Sequence, residues 1–181
     1  MSDRIEIEVT INGVKQKHDV EPRLLLSDFL RHTLMLTGTH VGCEHGVCGA
    51  CTIMMNGDSI RSCLMFAVQA DGCEITTVEA LGTIEELSSL QSAFHECHAL
   101  QCGFCTSGML MTCTDMLQKY PLDNDASIRD GLSGNVCRCT GYTHIVEAVR
   151  VERDRRHACI TESTEASKTS ATDKTLSEQP T

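Results

Sequence analysis

Residues 42–52 read Gly42-Cys43-Glu44-His45-Gly46-Val47-Cys48-Gly49-Ala50-Cys51-Thr52. Cys63 extends the run to C-x4-C-x2-C-x11-C, and Cys102, Cys105, Cys137 and Cys139 form a second group, C-x2-C-x31-C-x1-C. Eight of the twelve cysteines fall in these two groups, and their spacings differ too much for one to be a copy of the other. Gly42, Gly46 and Gly49 interleave the first group, where backbone without a Cβ can wrap closely around whatever the sulfurs hold.

Upstream of this loop, Ile5, Ile7, Val9 and Ile11 alternate with polar residues, and Asn12-Gly13 separates them from a second alternating run, Val14–Val20. This pattern predicts a β-hairpin with a tight turn. Ser27-Asp28 stands at an expected N-cap ahead of Phe29, Leu30, Leu34 and Leu36, giving a short helix over about 28–36. Thr52–Met55 leads into a second hairpin turn at Asn56-Gly57, and 74–78 adds a last strand. Strands around one helix, with the cysteine loop between helix and sheet, predict an α+β fold of the ubiquitin-like roll type over residues 1–80.

Beyond about residue 81 the periodicity becomes helical. Helices are expected over 85–100, 106–120 (stopped by Pro121), 127–132 and 143–155, which together predict a four-helix bundle over residues 81–158. From 159 to 181 the composition is Thr, Glu, Ser, Lys and Ala with almost no apolar anchor, so this segment is expected to be a disordered tail.

The chain has 181 residues, 41% of them hydrophobic but only 3% aromatic, and no Trp, so its cores should be small and aliphatic. Neither an apolar signal region nor a run of roughly 18 uncharged apolar residues is visible, and the expectation is a soluble, cytoplasmic protein. In that reducing compartment twelve cysteines point to metal or redox work instead of disulfides. A net charge of −10 argues against nucleic acid as a partner.

A 2Fe-2S cluster needs four thiolates converging on a rhomb of two irons, two on each, and the first three intervals of the Cys43 group match the plant-type ferredoxin spacing. In that reading Cys43, Cys48, Cys51 and Cys63 hold one cluster, with glycine N–H groups aimed at sulfur. Cys102 and Cys105 precede one expected helix and Cys137 and Cys139 precede another, so both pairs lie near helix N-termini, where thiolate is favoured over thiol. Zinc is the alternative for this second group, although its paired ligands ordinarily have two or more residues between them. His45 could ligate iron only as one of two histidines, and the four cysteines already suffice. Cys97 and Cys113 read as core, and His95 and His98 as solvated surface.

Three stretches, Gly42–Thr52, Gln101-Cys102-Gly103-Phe104-Cys105-Thr106-Ser107-Gly108-Met109 and Asn135-Val136-Cys137-Arg138-Cys139-Thr140-Gly141-Tyr142, resemble the small iron-sulfur subunits of the molybdenum hydroxylase family, which includes xanthine dehydrogenase and aerobic carbon monoxide dehydrogenase. The resemblance covers about residues 5–155. It implies an electron-transfer subunit of an oxidoreductase: one 2Fe-2S cluster on the Cys43 group nearer FAD on a medium subunit, and one on the Cys102 group nearer a molybdenum-pterin cofactor on a large subunit. It also implies a dimer of heterotrimers, with Gln101 and Cys139 touching the pterin. Substrate chemistry, hydroxylation of a carbon centre with oxygen from water, would occur on the large subunit. Ser107 departs from the Pro of many relatives, an expected loosening of the first helical turn. The texture of the first domain leans toward an aromatic or acyl-thioester substrate such as a furoyl or benzoyl thioester. A free-standing two-cluster ferredoxin is the alternative function.

Overall fold

A computed structural model describes residues 4–173. Strands β1 (Ile5–Ile11) and β2 (Val14–Val20) form the expected antiparallel hairpin, with both turn residues left-handed, Asn12 at φ 51° and Gly13 at φ 80°. Strands β3 (Thr52–Met55) and β4 (Asp58–Arg61) repeat the device at Asn56-Gly57. Strand β5 (Glu74–Thr76) joins the two hairpins, parallel to β1 and antiparallel to β3, into one mixed sheet of order β2-β1-β5-β3-β4.

Alternation along β1 buries Ile7, Val9 and Ile11 against Leu26, Phe29, Leu30, Ile53 and Ile75. Helix α1 begins at Leu26, not at the expected Asp28, and runs through Asp28 into a π-helical segment, Phe29–Thr33. Ser27 is therefore no cap: it is fully buried and makes no cap hydrogen bond. Tertiary pairing sets the start instead, since Leu26 N–H donates to Met65 O at 2.8 Å and Ala67 N–H donates to Leu24 O at 2.7 Å.

The second core is helical and aliphatic: Leu90, Phe94, Met109, Leu110, Met116, Ile128, Leu132, Ile145 and Val149 are buried together. Helix α2 spans Ser89–Glu96, shorter than the expected 85–100. Ser88 and Gln91 form a reciprocal capping box that fixes its start, and His98, left-handed at φ 52°, lies just beyond its end. Helix α3 (Thr106–Lys119) stops one residue before the Tyr120-Pro121 step, and α4 spans Asp125–Gly131. Cys113 is fully buried in this core and Cys97 packs against it half-buried, as expected of both.

Helix α5 runs Thr143–Asp173, so the disorder expected from 159 does not hold over residues 159–173. Those residues contain neither Gly nor Pro, and Ala, Glu and Lys propagate a helix that the packed segment has already nucleated. The rest of the tail, 174–181, lies outside the described residues. Among the described residues no helix is long and apolar enough to cross a membrane.

The two cores meet through α3, which packs on β3. Thr52, Ile53 and Met54 are consequently buried in succession, covered on both faces of the sheet. At the rim, Lys119 of α3 lies 2.5 Å from both Asp58 and Asp115, and Ser59 Oγ donates to Asp115 Oδ2 at 2.7 Å.

Candidate metal centres

The first cysteine loop lies between α1 and β3. Glu44, Gly46 and Gly49 adopt left-handed φ (55°, 80° and 72°), which folds the chain back on itself and brings sulfurs together. The left-handed backbone of Gly46 favours glycine, and a side chain there would also press on Leu64 Cδ1 at 2.5 Å, in the turn that carries Cys63. Cys48 N–H points at Cys43 Sγ at 3.4 Å. The backbone N–H groups of Cys48 and His45 lower the Cys43 thiol to about 6, whereas burial and the neighbouring Cys51 raise Cys63 to about 11. Gly46 N–H also faces Cys63, which fulfils the expectation of a glycine donor at sulfur. His45 is exposed, and its Nδ1 contacts the Cys43 carbonyl.

The second group assembles where α3 and α5 begin. Cys102 and Cys139 are exposed, with sulfurs 3.5 Å apart. Cys105 and Cys137 are half-buried and contact each other. Burial, with the neighbouring Cys137, raises Cys105 to about 12. Burial of Cys137 acts in the same upward direction but is outweighed by hydrogen bonds from Thr140 and from backbone N–H groups, so that thiol is lowered. The backbone of Phe104 and the Cys139 thiol lower Cys102, and the same contact raises Cys139.

Among the described residues no set of three or more His, Cys, Asp or Glu side chains is arranged to hold a single metal ion. The sulfurs come instead in contacting pairs: Cys43 with Cys48, Cys51 with Cys63, Cys102 with Cys139 and Cys105 with Cys137. Two thiolates bound tetrahedrally to one metal at about 2.3 Å stand about 3.8 Å apart. The 3.5 Å separation of Cys102 and Cys139 is within a few tenths of that value. Two pairs per group, one for each iron, fit a binuclear cluster.

The two groups share a wall. A cavity of about 270 Å³ is lined by Cys102, Cys105, Cys137 and Cys139 together with Cys48 and Gly42 of the first group. Val136 N–H donates to Cys48 O at 2.9 Å, which ties the neighbour of one group's cysteine to a cysteine of the other. Asn135, buried at the centre of this seam, donates to Gly49 O at 3.2 Å and accepts from Thr112 Oγ1 at 3.0 Å and Arg61 Nη2 at 3.2 Å. Gly49 admits no side chain here, because a Cβ would stand 2.6 Å from Gly134 O, and a Cβ on Gly108 would collide with the Gly49 carbonyl.

Gln101, which precedes Cys102 in the chain, is exposed, as are Cys102 and Cys139. Ser107 sits inside α3 with Oγ 3.5 Å from His40 Nδ1. His40 in turn stacks on Phe104, their ring centroids 5.0 Å apart, and bonds the Phe104 carbonyl at 2.8 Å. Sequence reasoning assigned no role to Arg61, Thr112, Asn135, His40 or Tyr142. Asn135 and Tyr142 lie within a recognised motif, but nothing local announces that their partners are Gly49, Thr112 and the backbone of Cys137.

Family models match both halves: a 2Fe-2S iron-sulfur cluster binding domain over residues 9–74 and a 2Fe-2S binding domain over residues 77–150. The class is thus a protein with two 2Fe-2S domains. Among curated relatives, caffeine dehydrogenase subunit gamma of Pseudomonas sp. (strain CBB1) is 56% identical over 147 residues, 80% of this chain and 88% of that protein. Nicotine 6-hydroxylase small subunit of Paenarthrobacter nicotinovorans is 54% identical over 148 residues, 82% and 89% of the two chains. Among solved structures, a chain of quinoline 2-oxidoreductase from Pseudomonas putida 86 superposes with a TM-score of 0.78 at 51% identity, covering 81% of this chain and 90% of that one. The chain belongs to the small 2Fe-2S subunits of the molybdenum hydroxylase family, and is the iron-sulfur, electron-transferring subunit of an oxidoreductase.

Proposed function

We propose that this subunit passes electrons from a molybdenum-pterin cofactor on a large subunit to FAD on a medium subunit, within a cytoplasmic dimer of heterotrimers. Cys43, Cys48, Cys51 and Cys63 hold the cluster nearer the flavin, and Cys102, Cys105, Cys137 and Cys139 the cluster nearer the molybdenum. When bound, each cluster supplies one-electron redox chemistry. The observation that carries the reading is the shared wall: Cys48 lines the cavity of the second group, and its carbonyl accepts the Val136 N–H. Covalent bonds and one hydrogen bond thereby connect the two sulfur sets without a gap.

The exposure of Gln101, Cys102 and Cys139 supports contact with a pterin, to which an amide can both donate and accept. Val47 and Leu64, each 61% exposed beside the first group, are apolar groups that a partner subunit would cover. Two separate cores support a division into a ubiquitin-like roll of the plant-type ferredoxin kind over residues 1–80 and a four-helix bundle over 81–158.

For the whole complex we propose an N-heteroaromatic substrate, in place of the acyl thioester toward which the sequence leaned. Relatives more than half identical are named for caffeine, nicotine and quinoline. The test is anaerobic purification of the native complex. About four irons and four sulfides per copy of this chain are expected, with two distinct EPR signals on reduction. An N-heteroaromatic substrate should reduce both clusters only while the large subunit is present. Iron eluting solely at this chain's own mass, or a single EPR signal, refutes the proposal.

A further inference from the structure

The loop that carries Cys137 and Cys139 is held by two side chains that no ligand assignment includes. Tyr142, left-handed at φ 67°, turns its ring back along the loop. Its hydroxyl accepts the Cys137 N–H at 2.9 Å and donates to Asn135 O at 3.0 Å. The N–H of the cysteine itself is therefore spent on oxygen. Thr140 Oγ1 lies 3.1 Å from Cys137 Sγ and also accepts the Tyr142 N–H at 3.1 Å.

This second bond fixes the first. An oxygen that already accepts from a backbone N–H keeps its own hydrogen free, and a thiolate coordinated to iron can only accept. The hydroxyl of Thr140 must then donate to Cys137 sulfur. A donor to a ligand sulfur stabilises the reduced cluster, the more negative form, over the oxidised one.

We infer that Thr140 is a tuning residue that raises the reduction potential of the cluster on the Cys102 group through an O–H···S bond to Cys137, while Tyr142 holds the hydroxyl in place. The inference rests on the ligand assignment proposed above. A potential raised at the cluster nearer molybdenum favours electrons leaving the molybdenum site.

The experiment is a redox titration, followed by EPR, of the intact complex carrying Thr140→Val or Thr140→Ser. Wild type must first show two 2Fe-2S signals; a single signal would defeat the ligand assignment, separately from the role of Thr140. In Thr140→Val the reduction equilibrium of one cluster should fall about tenfold, equivalent to about 59 mV for a one-electron couple. The other cluster should not move, and Thr140→Ser should titrate like wild type. Should the valine variant lose the second cluster, Thr140→Ala replaces it with the same expected fall. Valine or alanine at the wild-type potential overturns the inference. Loss of the signal in both variants, with serine intact, also overturns it, because the hydroxyl would then only hold the loop.

Discussion

Replacing Asn135 by Ala should loosen the seam between the two cysteine groups without removing any sulfur. Asn135 is 2% exposed and serves three partners, but the partners do not suffer equally. The Gly49 carbonyl keeps the Thr52 hydroxyl at 2.6 Å, and Arg61 keeps Gly134 O at 2.7 Å and Thr52 Oγ1 at 2.6 Å. The Thr112 hydroxyl, 7% exposed, loses its acceptor, which costs about 1–3 kcal/mol. Lost net hydrogen bonding and the small void bring the total to about 3 kcal/mol. With an m-value of about 2 kcal/mol/M, the urea midpoint of the anaerobic protein should fall by about 1.5 M. Circular dichroism measures that midpoint, and EPR should still find both clusters in unstressed samples. In a Thr112→Val background the hydroxyl is already gone, so Asn135→Ala should cost about 1–2 kcal/mol less. A midpoint shift below about 0.3 M, or full additivity of the two changes, would refute the account.

Three further outcomes follow from other parts of the molecule. Cys139→Ser should alter one of the two EPR signals and leave the other; change in both or neither shows that the cysteines are wrongly divided between the clusters. Burial pushes the Cys113 thiol from the ordinary 9.0 up to about 12. The fold keeps that proton after the unfolded chain has lost it, so the stability due to this group is complete below about pH 9 and declines as pH rises toward 12. Cys113→Ala should flatten the fall of the urea midpoint between about pH 9 and 10.5, and an unchanged slope would count against the buried thiol as its source. Deleting residues 161–181, a stretch with almost no apolar residues to pack, should preserve iron content and complex assembly, measured by elemental analysis and size-exclusion chromatography; failure to assemble would mark it as an interaction arm.

Both hairpins were legible because a left-handed Asn-Gly pair is a local device: Asn12-Gly13 and Asn56-Gly57 need nothing distant to turn the chain. The end of α3 before Pro121 was legible for the same reason. Ser27 misled because its neighbours Leu24 and Leu26 fix the helix start by pairing with Ala67 and Met65, backbone partners that no window around residue 27 contains. The tail misled differently: absence of apolar anchors argues against packing, yet does not stop a helix already begun at Thr143.

Within the two cysteine groups, the sequence by itself marked the local clusters Cys43/Cys48/Cys51, Cys102/Cys105 and Cys137/Cys139, since intervals of one, two and four residues act over a few bonds. Only the tertiary structure decided which sulfurs pair, that Cys48 borders the second group, and that Asn135 and Thr140 face Gly49 and Cys137. Those relations join positions up to 86 residues apart. They depend on α3 lying flush against β3, a packing in which glycine at 49 and at 108 leaves room for the two backbones to touch.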